Sequence, residues 1–388
     1  MTSVAVALRR HAPEYLRRQT KAANARTTLV AVQRAFSAIM RCRTGALGGV
    51  ERQCSRCGRS HWVGRSCGNR HCPTCGSEKT HQWLGKQSAK LLPGVHHFLI
   101  TFTVPRELRM VLRAHPRVGY QCLFDASAAA IRDLAGATKA LKGCKLGFFG
   151  VLHTWGRDPL VYHPHIHFVV PGGGVAVDEV GQATGWKQTP TNFFVHHGTL
   201  IRVYKAKLAD QLRASGFYSQ VPPEVWKKKF VVDIKPVDDG RAVVAYLAPY
   251  VHRVAIGNHR IKRVDASSVT YQFQPSGSKS LKTRTVAGQD FVHGFAQHIL
   301  PKGFQKVRHY GWMSSNSKVR LEEVRMLAWF ALGWAYWLAS GHALREKQPS
   351  FPTLRCAACG GEMRVVSVTD CPIRLTLANH PLAFLDSG

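Results

Sequence analysis

Two histidines separated by one bulky apolar residue, His165-Ile166-His167, are the part of this sequence best suited to chemistry. Side chains alternate along a strand, so on a strand both imidazoles would face one side while Ile166 enters the core. Imidazoles with water can hold Mg²⁺ or Mn²⁺, and Mn²⁺ is the better match to nitrogen ligands. Such an ion can polarise and orient a phosphate. The motif therefore indicates metal-assisted phosphoryl chemistry.

A third ligand is expected, because two histidines rarely suffice to hold an ion. His153 lies on the predicted strand that precedes the strand of His165. If these strands form a hairpin, His153 falls opposite the histidine pair and on the same face. His252 is the alternative. We expect His153, or else His252, to complete the metal site.

Tyr246 and Tyr250 could supply nucleophiles. Residues four apart share one face of a helix, with about 5–6 Å between their Cβ atoms. Attack of a phenol on a phosphodiester would give a 5′-phosphotyrosine and a free 3′-hydroxyl, which conserves the bond energy for rejoining. Pro249 lies between the two and predicts a kink, because proline lacks an N–H and clashes with the preceding turn. The division of labour between the tyrosines stays open, and without the histidines the pair would be read as core aromatics.

Two Cys-x2-Cys pairs predict a zinc site in the first quarter of the chain. The four cysteines are Cys54, Cys57, Cys72 and Cys75. Their spacing is close to that of a zinc ribbon, in which a closed tetrahedral thiolate site is structural. Cys67 and His71 are possible substitutes for one ligand.

A further pair, Cys356 and Cys359, is half of a second zinc site. Cys371 and His380 could complete it, although their spacing is loose. The cysteines that stand singly are predicted to be buried thiols: Cys42, Cys122 and Cys144.

The charge balance indicates a polyanionic partner. The 388 residues include 54 Lys and Arg against 22 Asp and Glu, a net charge of +32, which fits DNA far better than a small substrate.

The first thirty residues lack the apolar stretch of a signal peptide, and the longest apolar run, Met326 to Ala339, is too short to span a bilayer. We therefore expect a cytoplasmic, nucleoid-associated protein with no membrane partner and with reduced cysteines.

Strand patterns interspersed with helical ones predict an α+β fold, in which helices flank an antiparallel sheet and a helical, zinc-ribbon-like module precedes it. Asp238 or Asp239 would cap the tyrosine helix. Three regions are expected: a helical, zinc-binding, DNA-binding module at 1–90, a catalytic domain at 91–265, and a basic region with helices and a Cys-x2-Cys tail at 266–388.

Taken in order, these motifs resemble the rolling-circle, two-tyrosine transposases of the insertion sequence ninety-one family, within the HUH endonuclease superfamily. Besides the histidines and tyrosines, the matching stretches include Ser66-Cys67-Gly68-Asn69-Arg70-His71-Cys72-Pro73-x-Cys75, Pro171-Gly172-Gly173-Gly174, Leu300-Pro301-Lys302-Gly303-Phe304, Arg308-His309-Tyr310-Gly311 and Cys356-x2-Cys359-Gly360-Gly361. The resemblance implies an HUH-type sheet, cleavage of single-stranded DNA at transposon ends, 5′-tyrosyl intermediates and a divalent ion.

The expected partner is single-stranded DNA, from transposon ends and target. The sequence has no Gly-x4-Gly-Lys-Ser/Thr motif for ATP, so host helicases or replication would have to separate the strands. Two alternatives stay open: a replication initiator or relaxase with the same chemistry, and a non-catalytic zinc-containing relic that binds DNA without forming an adduct.

Overall fold

The computed structural model describes residues 3–21, 26–252, 255–275, 277–278, 280–343 and 354–370. Helices make up much of this part of the chain. They are α1 (Val4–Lys21), α2 (Arg26–Arg41), α3 (Gly76–Ser88), α4 (Arg106–Ala114), α5 (Pro116–Ala137), α6 (His197–Ala214), α7 (Arg241–His252), α8 (Gly288–Ala296), α9 (Leu321–Leu332) and α10 (Trp334–Ala343).

The strands form one large sheet and several small ones. They are β1 (Gly49–Cys54), β2 (Ser60–Gly64), β3 (His97–Thr103), β4 (Cys144–Lys145), β5 (Gly147–Trp155), β6 (Tyr162–Pro171), β7 (Gly173–Val177), β8 (Ala183–Gln188), β9 (Val232–Val237), β10 (Ile261–Val264), β11 (Ser268–Phe273), β12 (Lys282–Ala287), β13 (Val307–Gly311) and β14 (Met363–Thr369).

The large sheet has five strands in the order β13–β5–β6–β3–β9, and every neighbouring pair is antiparallel. Two of its inner strands, β5 and β6, are buried along almost their whole length. Both are rich in aromatic and β-branched residues, which pack well on a pleated surface. The predicted antiparallel α+β sheet is therefore confirmed.

Alternation along the strands gives the sheet two differently covered faces. Phe148, Ile166 and Phe168 point to one face, in a core shared with α4, α5 and α6. Val151 and Val169 point to the other face, in a core shared with α3, α7 and α9. The odd-numbered positions of β5 and β6 therefore face α7, the helix that carries the tyrosines.

The N-terminal helices pack on a separate core. α1 and α2 contact α8 and the three-stranded sheet β10–β11–β12. In a further three-stranded sheet, β14–β1–β2, the last strand of the described chain pairs with the first one. The helical and cysteine-rich N-terminal module that the sequence predicts is confirmed.

Strand pairing crosses the boundaries of the three predicted regions. β13 belongs to the region 266–388 and forms an edge of the large sheet, while β14 pairs with β1 of the N-terminal module. The division at 90 and 265 stays a prediction.

The longest apolar run does not form one buried helix. It is broken at Gly333, whose φ of +55° is left-handed, into α9 and α10. Val324 and Ala328 pack into the core, whereas Phe330 and Trp334 are exposed. Within the described residues, no helix combines the length and apolar character needed to span a membrane.

Candidate active site and cysteine clusters

Three histidines converge on the face of the sheet that α7 covers. His165 and His167 lie on β6, and the β5–β6 register places His153 directly opposite His165. The centre of the His153 ring is 4.5 Å from that of His167 and 5.2 Å from that of His165. One ligand nitrogen from each ring lies within 4.8 Å of the others. The geometry brings together the three residues that the sequence favoured as metal ligands.

Hydrogen bonds fix the orientation of two of these rings. The Nδ1–H of His165 donates to the carbonyl of His163 at 2.8 Å, so its Nε2 carries the lone pair. The Nδ1 of His167 is hydrogen-bonded to the hydroxyl of Thr101 on β3, also at 2.8 Å. Metal-binding histidines usually use their second nitrogen in this way, to set tautomer and ring orientation.

Burial lowers the pKa of all three imidazoles, because a charged ring would lose its hydration. The pKa of His167 falls to about 4, and those of His153 and His165 fall well below the usual value. The other two imidazoles lower the pKa of His153 further, whereas Asp233 works against the fall at His167. The rings are neutral near pH 7, which is the form that binds metal.

The helix α7 holds Tyr246 beside the histidines. The carboxylate of Asp239 accepts the N–H of Arg241 at 3.0 Å at the start of this helix, in agreement with the predicted cap. Val244 and Leu247 are buried in the core against the sheet. Tyr246 is 51% exposed, and its ring centre lies 6.4 Å from that of His167.

The second tyrosine and the alternative ligand lie further along the same helix. The helix continues through Pro249 to His252. The side chains of Tyr250 and His252 lie outside the described part of the structure. The predicted roles of these two residues stay predictions.

Eight of the cysteines form two groups of four. We name them cluster A (Cys42, Cys67, Cys72 and Cys75) and cluster B (Cys54, Cys57, Cys356 and Cys359). In cluster A, the Sγ of Cys75 lies 3.5 Å from that of Cys42 and 3.7 Å from that of Cys67. A tetrahedron of Zn–S bonds of about 2.3 Å has edges of roughly 3.8 Å, so the spacing suits zinc. It is far too long for a disulfide.

Cluster B consists of two matched turns. The N–H of Gly58 donates to the carbonyl of Cys54 at 3.0 Å, and the N–H of Gly360 donates to the carbonyl of Cys356 at 2.8 Å. Both glycines have left-handed φ angles, of 68° and 72°, which side chains disfavour. The N–H groups of Cys57 and Arg56 lower the pKa of the Cys54 thiol to about 6. Backbone N–H groups of the second turn likewise lower the pKa of Cys356, which favours the thiolate form that zinc requires, whereas the neighbouring thiols raise the pKa of Cys359 to about 11.

The prediction that Cys54, Cys57, Cys72 and Cys75 form one cluster is wrong. The first pair belongs to cluster B and the second pair belongs to cluster A. The reason is the antiparallel pairing of β1 with β14, which sets Cys54 opposite Met363 and brings the C-terminal pair to the N-terminal one. Cys356 and Cys359 thus belong to a cluster of four thiols that does not need the predicted ligands Cys371 and His380. Those two residues lie outside the described part of the chain.

The predicted substitutes for a zinc ligand have different outcomes. Cys67 is a member of cluster A. His71 is not, and its Nε2 accepts the N–H of Leu300 at 3.3 Å. Cys42, predicted as a single buried thiol, is the fourth member of cluster A, because α2 ends at Arg41 beside the other three. Cys122 is buried and Cys144 is half-buried, and neither belongs to a cluster.

Sequence reasoning missed two polar neighbours of the histidines. Thr101 lies opposite His167 on β3, and Asp233 lies opposite Thr101 on β9. The Oδ2 of Asp233 is 3.1 Å from the Nζ of Lys235. Thr101 alternates with the buried Ile100 and Phe102 along β3, but only the strand order of the sheet brings it to the histidines.

Comparisons with known proteins match this chain to transposases. A family model described as "Putative transposase" matches residues 147–320, and one described as "Transposase zinc-binding domain" matches residues 7–104. The chain is 33% identical to a protein named "Putative transposase y4qJ" from Sinorhizobium fredii, over 80% of each chain. It is 26% identical to the "Transposase for insertion sequence element IS801" from Pseudomonas savastanoi pv. phaseolicola, over 84% of this chain and 81% of that protein. No solved structure matches.

Proposed function

The chain belongs to the IS91 family of insertion-sequence transposases, and we propose that it nicks and rejoins single-stranded DNA through 5′-phosphotyrosine intermediates. Family membership supports action on DNA. The proposal adds the nucleophile, the metal and the form of the substrate. It rests on one observation: three buried histidines and Tyr246 meet on one face of the sheet.

Tyr246 is the proposed nucleophile of the first step. Its phenolic oxygen would form a bond to the phosphorus of the scissile phosphodiester as the bond from phosphorus to the 3′-oxygen breaks. The phenol gives up its proton, and the departing oxygen takes one up and becomes a 3′-hydroxyl. A 3′-hydroxyl attacking the phosphotyrosine reverses these bond changes and rejoins a strand. Tyr250, on the same helix, is the candidate for holding the second end.

His153, His165 and His167 fit a divalent cation, because they are neutral, close together and, in two cases, oriented through Nδ1. When bound, Mg²⁺ or Mn²⁺ would polarise a nonbridging phosphate oxygen and neutralise charge. The chain itself supplies the buried histidine cluster and the packing of α7 that keeps Tyr246 next to it.

Zinc at the cysteine clusters has a structural role. The zinc-binding domain match and the two four-thiolate clusters support it. With four thiolates each, the clusters leave no open position for a reacting group. They instead tie together segments that are far apart in sequence.

The charge of the chain supports a DNA substrate, since +32 on 388 residues attracts phosphate strongly. The proposed substrate is single-stranded, at the transposon ends and in the target, because a phosphodiester must reach a site between a helix and a sheet. Host helicases or replication would expose that strand.

Trapping the covalent intermediate tests the proposal. The protein would be incubated with Mn²⁺ and a 5′-labelled or 3′-labelled single strand that carries the element end. The expected result is an SDS-resistant adduct that keeps only the 3′-side label and disappears with EDTA. Tyr246→Phe combined with Tyr250→Phe should abolish the adduct.

Tyr218→Phe is the matched control, because Tyr218 stacks on Trp226 and lies outside the candidate site. This variant should form the adduct like the wild type. DNA binding without any adduct in the wild-type protein would contradict the proposal and would favour a non-catalytic relic.

A further inference from the structure

A cleft of about 990 Å³ lies between the zinc-bearing module and the large-sheet domain. One wall is α2 together with residues 69–71, and the other is the α4–α5 corner together with residues 299–303. Its volume is within the range of about 300–1,000 Å³ typical of sites for small molecules and cofactors. Neither the histidine cluster nor Tyr246 lines it, so it is separate from the site described above.

The lining of this cleft combines apolar surface with cations. Ala31, Val118 and Leu300 contribute apolar surface. The cations are Arg34, Arg70, Arg117 and Lys302, and no carboxylate is among the described residues that line the cleft. None of the ion pairs in the described part of the chain involves these four side chains. The cleft therefore suits a ligand with an apolar body and a negative charge.

Hydrogen bonds hold the walls of the cleft in place. Both terminal nitrogens of Arg70 donate to the carbonyl of Phe304 at 2.7 Å. On the opposite wall, Arg117 donates to the carbonyl of Lys302 at 2.6 Å. The bonds of Arg70 join the two sides, and the bond of Arg117 braces one of them. The cleft is therefore formed before any ligand arrives, which lowers the entropic cost of binding.

Cluster A fixes the wall that the zinc-bearing module provides. Residues 69–71 lie between its members Cys67 and Cys72, and α2 ends one residue before Cys42. A zinc ion on these thiols would hold the loop and the helix end in one arrangement. The cluster thus has a direct structural connection to this cleft.

We propose that the cleft binds an unpaired nucleotide of the DNA strand, with its base on the apolar surface and its phosphate against the cations. A nucleobase is flat and largely apolar, and a phosphodiester carries the negative charge that the lining lacks. The inference rests on the proposed function for the identity of the ligand as DNA. It adds a second binding point for the strand, away from the phosphodiester that is cut.

A pair of probes separates base binding from phosphate binding. The first is a 20-nucleotide oligothymidylate, and the second has the same length and backbone but abasic sites throughout. Ala114 lines the cleft and is exposed, so Ala114→Trp fills the space without entering a core. Its matched control is Ala206→Trp, at an exposed position of α6 outside the cleft.

The wild type should bind the oligothymidylate more tightly than the abasic strand. Ala114→Trp should reduce that preference about tenfold, the order expected when one base no longer stacks, and leave the affinity for the abasic strand unchanged. Ala206→Trp should bind both strands like the wild type. If Ala114→Trp keeps the full preference, the proposal is overturned. Zinc content and the unfolding temperature verify that each variant folds.

Removing charge tests the phosphate part of the proposal. The combination of Arg34→Gln and Arg117→Gln should weaken binding of both strands and reduce the slope of log affinity against log salt by about 0.7, the value for the one phosphate that the cleft no longer neutralises. Arg132→Gln with Arg202→Gln removes two exposed charges of α5 and α6 outside the cleft, and should leave the slope unchanged. Equal slopes in both double variants would contradict the proposal.

Two further measurements identify what has failed. The first is competition by thymidine 5′-monophosphate. If it displaces the oligothymidylate as well as an unlabelled strand does, the cleft binds a free nucleotide and the assignment to a DNA strand is overturned. Adduct formation is measured in parallel. Loss of base preference in Ala114→Trp without any adduct in the wild type would support the cleft and contradict the proposed function. An adduct in the wild type together with unchanged base preference in Ala114→Trp would support the proposed function and contradict the cleft.

Discussion

At the scale of single residues, Thr101 shows how a side chain outside the motif can control the proposed metal site. Its hydroxyl holds Nδ1 of His167 at 2.8 Å. Thr101→Val keeps the shape but removes this bond, so the ring of His167 is less firmly oriented. We expect Mn²⁺ affinity to fall about 10–100-fold, as is typical when such a partner of a ligand is removed. Isothermal titration calorimetry at fixed pH measures it.

Thr103→Val is the matched control for this prediction. Thr103 lies on the same strand and face, but its hydroxyl donates to the carbonyl of Val231 at 2.9 Å, not to an imidazole. Its Mn²⁺ affinity should stay close to that of the wild type. Equal losses in both variants would mean that the Thr101 hydroxyl has no specific role at His167.

Buried histidines outside the site should make the protein sensitive to acid. Burial lowers the pKa of His298 to about 3, while its Nδ1 is hydrogen-bonded to the Thr154 hydroxyl at 3.1 Å. The unfolded chain takes up this proton near the ordinary pKa of about 6.5, and the native protein does not until near 3. The stability that neutral His298 contributes is therefore present above 6.5 and is lost as the pH falls toward 3.

His298→Gln should reduce this sensitivity, because glutamine does not titrate. Between pH 7 and pH 5, the wild type should lose about 2 kcal/mol more free energy of unfolding than the variant, at about 1.4 kcal/mol per pH unit below 6.5. Urea unfolding at the two pH values measures the difference. An identical loss in the two proteins would argue against a neutral, buried His298.

At the scale of elements, the pairing of β14 with β1 decides how the zinc sites are built. Cluster B takes two thiols from the segment at the end of β1 and two from the segment before β14, and cluster A takes its four thiols from the first eighty residues. The wild type should therefore hold two zinc ions per chain. Cys356→Ser with Cys359→Ser should hold one, measured by inductively coupled plasma mass spectrometry.

Cys122→Ser is the control for zinc content, since Cys122 is a buried thiol outside both clusters. It should keep two zinc ions. The opposite outcome is one zinc ion in the wild type and one in the variant with Cys356→Ser and Cys359→Ser. It would support a single site of Cys54, Cys57, Cys72 and Cys75, and would contradict clusters A and B.

The position of α7 is also an element-scale property. Leu247 is fully buried and anchors this helix to the sheet. Leu247→Ala should lower the free energy of unfolding by about 2–5 kcal/mol, because it leaves a cavity in the core. Denaturant unfolding measures the change. Ala245→Ser, at an exposed position of the same helix, should change stability by less than about 0.5 kcal/mol.

At the scale of the whole molecule, charge should dominate the affinity for DNA. If a strand contacts about six basic side chains, log affinity should fall with log salt with a slope of roughly −4. Fluorescence anisotropy of a labelled single strand at several salt concentrations gives the slope. A slope shallower than about −2 would show that few of the charges behind the value of +32 meet phosphate.

Much of the candidate site could be predicted because it depends on local spacing. Alternation along a strand puts His165 and His167 on one face whatever the rest of the chain does, and a hairpin brings His153 to them. The four-residue spacing likewise fixes Tyr246 and Tyr250 on one helix. Partners such as Thr101 and Asp233 could not be predicted in this way, because they lie on strands whose order in the sheet has no local signal.

By itself, the sequence determined the α+β class, the histidine motif, the tyrosine helix, the zinc-binding character and the attraction to DNA, since each follows from composition or from a short period of the chain. Only the tertiary structure decided which cysteines share a site, which polar residues adjoin the histidines, and that a basic cleft opens between two cores. The physical reason is that these features join segments far apart along the chain, such as those of Cys54 and Cys359, which are separated by 305 residues. Contacts at such separations depend on how whole elements pack, which no local pattern of residues specifies.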